Sequence, residues 1–160
     1  MPQRDFGYDV PTMNGLPPVT RALLIANVAI FIVQQLTGNL LIGPFALWPF
    51  ATPEFRGAPG FAIWQLLTYG FLHGSLTHLF FNMFALYMFG GEIERLFGSR
   101  RFLVYFLTCV VGAAVAQLIV LSGMNRPPVP TVGASGGVFG LLLAYGLAFP
   151  QRKLMLLFPP

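Results

Sequence analysis

From Phe102 to Leu121 not one side chain is charged. Twenty residues of helix rise about 30 Å, the thickness of the hydrocarbon core of a bilayer. In that environment a backbone has only itself to hydrogen-bond with, so the stretch must be helical. Three further apolar runs share the chain with it. Of the 160 residues 56% are hydrophobic and only 9% charged, where a soluble domain carries about 25% charged residues. The sequence therefore reads as an integral membrane protein, all-α, a polytopic transmembrane helical bundle.

The first span is expected over 19–36, with Asn27 and Gln34-Gln35 as its polar exceptions. The segment 37–63 is interrupted by Gly43-Pro44, Trp48-Pro49-Phe50, Pro53 and Pro59-Gly60. It is too broken to span and too apolar for a free loop in water, and its aromatic residues favour the headgroup level, so it is placed in the membrane interface. Ser75 is a good N-cap and opens a second span over 75–91. Glu92, Glu94, Arg95, Arg100 and Arg101 then form a charged hinge before the third span, 102–121. A proline-rich loop from Ser122 to Thr131 leads to the fourth span, 132–149. Residues 1–18 hold charges and prolines without an apolar core; they read as a short cytoplasmic tail and not as a secretory signal. Residues 19–160 form the membrane domain.

In a four-span arrangement Arg4, Arg21, Arg95, Arg100, Arg101, Arg152 and Lys153 fall on one side, and only Arg56 and Arg126 on the other. The positive-inside rule then makes the N-terminus cytoplasmic. The net charge of +4 is scattered, with no basic stripe for nucleic acid. The single cysteine, Cys109, excludes an internal disulfide and a cysteine-based metal site, and is expected to be buried and inert.

Chemistry concentrates in two places. Gly133-Ala134-Ser135-Gly136-Gly137 follows Pro127-Pro128-Val129-Pro130-Thr131, which cannot be helical, so Ser135 falls in the first turn of the fourth span. There the backbone N–H groups lack intrahelical partners and the helix dipole favours negative charge, conditions that suit a nucleophile whose attack creates an oxyanion. Small residues for close helix packing are the plainer explanation of the same stretch. The second place is His73, His78 and Asn82, the strongly polar side chains at the entry to the second span. His78 and Asn82 are four apart and share a helical face. Polar groups in a bilayer point into the bundle or at water, here either as structural hydrogen-bonding groups or as donors to a developing oxyanion. The second and fourth spans run the same way, so His78 and Ser135 lie at similar depth. Phe139 shares the face of Ser135, where it either packs on an imidazole or is one more core ring. The pairs Gly133/Gly137 and Gly136/Gly140 allow neighbouring helices to approach closely.

His73-Gly-Ser-Leu-Thr-His78-Leu-Phe-Phe-Asn82, then Gly90-Gly91-Glu92-Ile93-Glu94, then Gly133-Ala134-Ser135-Gly136 resembles the bacterial rhomboids, a family of intramembrane serine proteases, over most of the chain from Trp64 onward. The resemblance implies Ser135 as nucleophile, and an oxyanion hole formed by His78, Asn82 and backbone N–H near Ser135. It implies auxiliary places for His73, for Gly133 at the head of the serine motif, and for Phe139 at a position that packs on the catalytic histidine. It implies a six-span core of which four spans are present, transmembrane proteins as substrates, the bilayer as surroundings, and the bacterial plasma (inner) membrane as location. No metal, cofactor or nucleic acid is implied. The family's Trp-Arg is Trp64-Gln65 in this chain, which bears on a loop contact. The rhomboid base is a histidine on the sixth span, and no histidine follows Ser135 in this sequence; the chain is expected to be truncated before the fifth span. Two other functions stay open. One is an inactive rhomboid-like protein that binds transmembrane helices. The other is a transporter or channel fragment whose pathway is lined by His73, His78 and Asn82.

Overall fold

The computed structural model describes residues 15–50, 59–122 and 129–152. Most of the tail expected over 1–18, part of the Ser122–Thr131 loop and the chain beyond Arg152 lie outside the described residues. What is described is helical, with one isolated bridge and no β-strand. In chain order the helices are α1 (Pro18–Leu36), α2 (Ile42–Phe45), α3 (Gln65–Thr68), α4 (Leu76–Phe97), α5 (Ser99–Ser122) and α6 (Ser135–Ala148).

By length and composition two of them are able to cross a membrane, Pro18–Leu36 and Ser99–Leu121. The four spans expected from the sequence are therefore not all met by that measure. Helix α4 carries Glu92, Glu94 and Arg95 in its last turns, and α6 has 14 residues, a length of about 21 Å at 1.5 Å per residue.

Helix α1 opens with Pro18 in its first turn, where the missing N–H is no loss. Its buried residues, Thr20, Leu23, Leu24, Asn27, Phe31 and Gln34, form one stripe at helical spacing. The polar residues Asn27 and Gln34 thus face the bundle, while Gln35 is exposed. Ser75 caps α4 as expected, its Oγ accepting from the His78 N–H at 3.1 Å.

Helix α4 runs two turns past the expected end, because the charged residues are accommodated rather than expelled. The carboxylate of Glu94, 1% exposed, accepts from Val19 N–H (3.0 Å), Thr20 N–H (2.7 Å), Thr20 Oγ (2.8 Å) and Ser99 Oγ (2.6 Å). A carboxylate there satisfies N–H groups of the first turn of α1 that have no intrahelical partner and complements its dipole. Gly90 makes the contact possible, since a Cβ there would lie 2.9 Å from the Thr20 methyl. The hinge reduces to Gly98, at φ +78°, which lets α5 begin at Ser99.

Helix α6 packs along α5 on its glycines. A Cβ at Gly136 would meet Ala113 at 2.5 Å, at Gly137 the Phe106 ring at 2.6 Å, and at Gly140 the Cys109 sulfur at 2.3 Å. The small-residue pairs therefore bring α6 onto α5, and the Tyr105 hydroxyl donates to the Gly140 carbonyl at 2.7 Å across the same seam. Cys109 is a free thiol and only half-buried, because it lies in that seam rather than in the core.

The segment expected in the interface enters the body of the protein at one point. Ala46 and Leu47 are fully buried, and Leu47 exchanges two backbone hydrogen bonds with Thr131, at 3.0 and 2.9 Å. Trp64, Phe50 and Ile63 stay exposed. Gln65, where the family has Arg, makes loop contacts of its own. Its buried Oε1 accepts from the Trp48 N–H at 3.2 Å, and its Nε2 reaches the Pro44 and Gly60 carbonyls at 3.4 Å.

Candidate active site

The site is assembled where the segment entering α4 meets the segment entering α6. Tyr69–Phe71 form a single 3-10 turn, after which Leu72 is extended at φ −90° and ψ 150° and Ser75 is extended again before its helix. His73 lies in this non-helical stretch with no exposed surface. The Tyr69 carbonyl accepts from the Gly133 N–H at 2.9 Å, and the Tyr69 hydroxyl donates to the Val110 carbonyl at 2.8 Å. One residue thus ties the approach to α4, the approach to α6 and the middle of α5 together. Burial pushes the Tyr69 phenol up to about 12.

His78 is half-buried in the first turn of α4, and Asn82 is buried one turn on. The His78 ring lies over the α-carbon of Gly133: a Cβ there would sit 2.4 Å from its Cε1 and 2.7 Å from its Nε2. Gly133 is at φ +126°, a conformation that side chains disfavour, so glycine is required twice over. Ser135 follows two residues later as the first residue of α6, with Ala134 at the N-cap. Its position in the first turn is the one expected from the prolines before it. Among the described residues the Ser135 hydroxyl has no hydrogen-bond partner, and Ser135 is half-buried.

Several polar atoms here are buried and unsatisfied. Among the described residues the Asn82 amide nitrogen has no partner, and neither ring nitrogen of His73 makes a hydrogen bond of good geometry. The His73 ring meets the His78 ring edge-on, with centroids 5.2 Å apart. Burial, and then the neighbouring His78, push the His73 imidazole down to about 4, with the Phe71 backbone acting weakly the other way. His73 is therefore neutral at physiological pH. A buried polar group without a partner is costly and calls for an explanation.

Phe139 stands one turn beyond Ser135 and is 70% exposed, with no aromatic partner among the described residues. The structure therefore brings together His73, His78, Gly133 and the start of the Ser135 helix, and leaves Phe139 outside that group. Two residues of the site carried no signal in the motif itself. Gln34 and Tyr69 hold the backbones of His73 and Gly133. For Gln34 the signal was its spacing from Thr20 and Asn27 along one face of an apolar helix. Among the described residues no three His, Cys, Asp or Glu side chains come together as a metal-ligand set.

Comparison with known proteins points the same way. The family model described as Rhomboid domain matches residues 60–160. The chain is 26% identical over 160 residues to the rhomboid protease GlpG of Yersinia pestis (strain Pestoides F), covering 98% of this chain and 53% of that protein. It is 32% identical over 145 residues to the rhomboid protease GluP of Bacillus subtilis (strain 168), covering 89% of this chain and 27% of that protein. The chain thus spans about half the length of the first relative and about a quarter of the second.

Proposed function

Because the chain belongs to the rhomboid family, an all-helical family of integral membrane proteins, we propose that it is the front part of an intramembrane serine endopeptidase. Four spans of a six-span core are present in this reading, α1, α4, α5 and α6, with 19–160 as the membrane domain. The segment 37–63 is then the interfacial loop. The substrates are membrane proteins, cut in or near their transmembrane segments, in the plasma membrane of a bacterium with the N-terminus cytoplasmic.

Ser135 Oγ attacks the scissile carbonyl carbon, and its proton passes to a base. The oxyanion that forms takes hydrogen bonds from the His78 ring, the Asn82 amide and the Ser135 N–H. Removal of one such donor typically costs about 2.7–4 kcal/mol of transition-state stabilisation. Collapse of the tetrahedral centre breaks the C–N bond and releases the amine with its proton, and water then resolves the acyl-enzyme. No residue of this chain after Ser135 is a histidine, so the base is assigned to none of its residues. The observation that carries the proposal is the contact of His78 with Gly133, two residues before the serine. With it stands the Asn82 amide, one turn along α4 from His78, buried and without a partner among the described residues. In this reading the two side chains supply the N–H donors for the oxyanion.

In the full-length protein, Ser135→Ala should abolish cleavage of a reporter transmembrane substrate. Cleavage by that variant at the wild-type rate ends the proposal. The same family membership leaves a second function open, binding transmembrane helices without cutting them. Labelling of Ser135 in this chain by a serine-directed fluorophosphonate would exclude that second function.

A further inference from the structure

Gln34 lies near the end of α1, a membrane-crossing helix, and both polar atoms of its amide are bound to one residue of another segment. Its Nε2 donates to the His73 carbonyl at 2.7 Å, and its Oε1 accepts from the His73 N–H at 3.1 Å. The stretch it grips is non-helical, between the 3-10 turn that ends at Phe71 and the cap at Ser75. A non-helical segment inside a helical bundle has neither helix nor strand to take its N–H and C=O, and a bilayer has no water to replace one. A primary amide presents a donor and an acceptor side by side, as the edge of a strand does. Gln34 is therefore a one-residue strand partner for His73.

The grip extends to the neighbouring imidazole. The His73 ring is wholly buried and among the described residues makes no hydrogen bond of good geometry. The Phe71 backbone is a weak polar neighbour, so packing and its own backbone dominate the ring's orientation. It abuts the edge of the His78 ring, with centroids 5.2 Å apart. His78 is confined by Gly133 as well, and among the described residues its ring has no hydrogen bond of its own to orient it. Two packed walls, His73 and Gly133, set its plane.

We propose that Gln34 is a positioning residue for the His78 imidazole: it holds the His73 backbone, and the His73 ring together with Gly133 holds His78. The catalytic meaning of this relay rests on the role proposed above for His78. The relay itself is a statement about geometry. Gln34 touches no reacting atom, and a residue remote from the chemistry acts by keeping a donor within its narrow productive range.

The chain contains two histidines, so histidine-selective 15N labelling of the whole chain in detergent micelles gives two sets of ring signals. His73→Gln and His78→Gln assign them. Gln34→Met keeps the length and bulk of the side chain and removes both hydrogen bonds, and it should displace the ring signals of both histidines. A Gln34→Met spectrum that overlays the wild type, or in which His73 alone moves, overturns the relay. Gln34→Glu gives an independent readout. A neutral carboxyl group offers one donor and one acceptor as the amide does, whereas a carboxylate offers no donor. Each compared with wild type at the same pH, the His78 signals of Gln34→Glu should match at acid pH and depart at alkaline pH. Should Gln34→Met fail to fold, this comparison decides alone, and His78 signals equal to wild type at both pH values overturn the proposal. The spectra involve no catalysis, so their outcome and that of Ser135→Ala are separable.

Discussion

A methyl group at position 133 has no room. It would lie 2.4 Å from a ring carbon of His78, on a backbone at φ +126° that L-residues disfavour. Gly133→Ala should therefore lower the unfolding free energy by about 1–3 kcal/mol, the usual cost of holding a side chain in a sparsely populated conformation. It should also move the His78 ring signals, whereas Gly146→Ala, which meets nothing within 4 Å, should change neither. Unfolding midpoints in detergent and histidine spectra check both statements. At this scale Ser135, His78 and Asn82 were legible because a polar residue in an apolar run is costly unless something needs it. The two neighbouring glutamines were not equivalent. Gln34 continues the buried face of Thr20 and Asn27, while Gln35 turns away. Phe139 shares the helical face of Ser135, yet spacing along one helix does not say which neighbour, if any, covers that face.

Among the elements, α4 differs most from expectation. Charged residues after Gly91 read as the end of a span, but the helix continues to Phe97 because Glu94 finds four donors. Three of those donors lie about 75 residues earlier in the chain, beyond the reach of any local pattern. Glu94→Gln keeps the shape and replaces one acceptor oxygen by an NH2 group that faces donors. Each buried donor left without an acceptor costs roughly 1–3 kcal/mol. The variant should lose at least that much stability in denaturant titration while the helix content of the folded state stays unchanged, and a wild-type midpoint would show that the carboxylate does not hold α1 to α4. The glycine pairs of α6 were legible as a close-packing surface. That their partner is α5, with Phe106, Cys109 and Ala113 seated on them, was not. Small residues advertise close approach without saying to what.

Seen as a whole, the molecule turns its apolar side chains outward as well as inward. Ile25, Ile32, Phe80, Phe81, Val104 and Leu147 are all exposed, an arrangement that suits lipid and not water. The proposed orientation places Arg100 in the cytoplasm. In a Cys109→Ala background, Arg100→Cys should resist a membrane-impermeant maleimide in intact cells and react once the membrane is permeabilised, while reaction in intact cells would invert the topology. Composition and the lengths of the apolar runs determined by themselves that this chain is a helical membrane protein, because a bilayer leaves a backbone few other ways to satisfy its hydrogen bonds. The proline stretch before Ser135 likewise determined that the serine opens a helix, since a run of prolines has no α-helical continuation. Only the tertiary structure decided that Leu47 pairs with Thr131, that Tyr69 holds Gly133, and that Gln34 holds His73. Those contacts join residues about 39 to 84 positions apart in the sequence, and hydrogen bonds at such separation leave no periodicity in the chain.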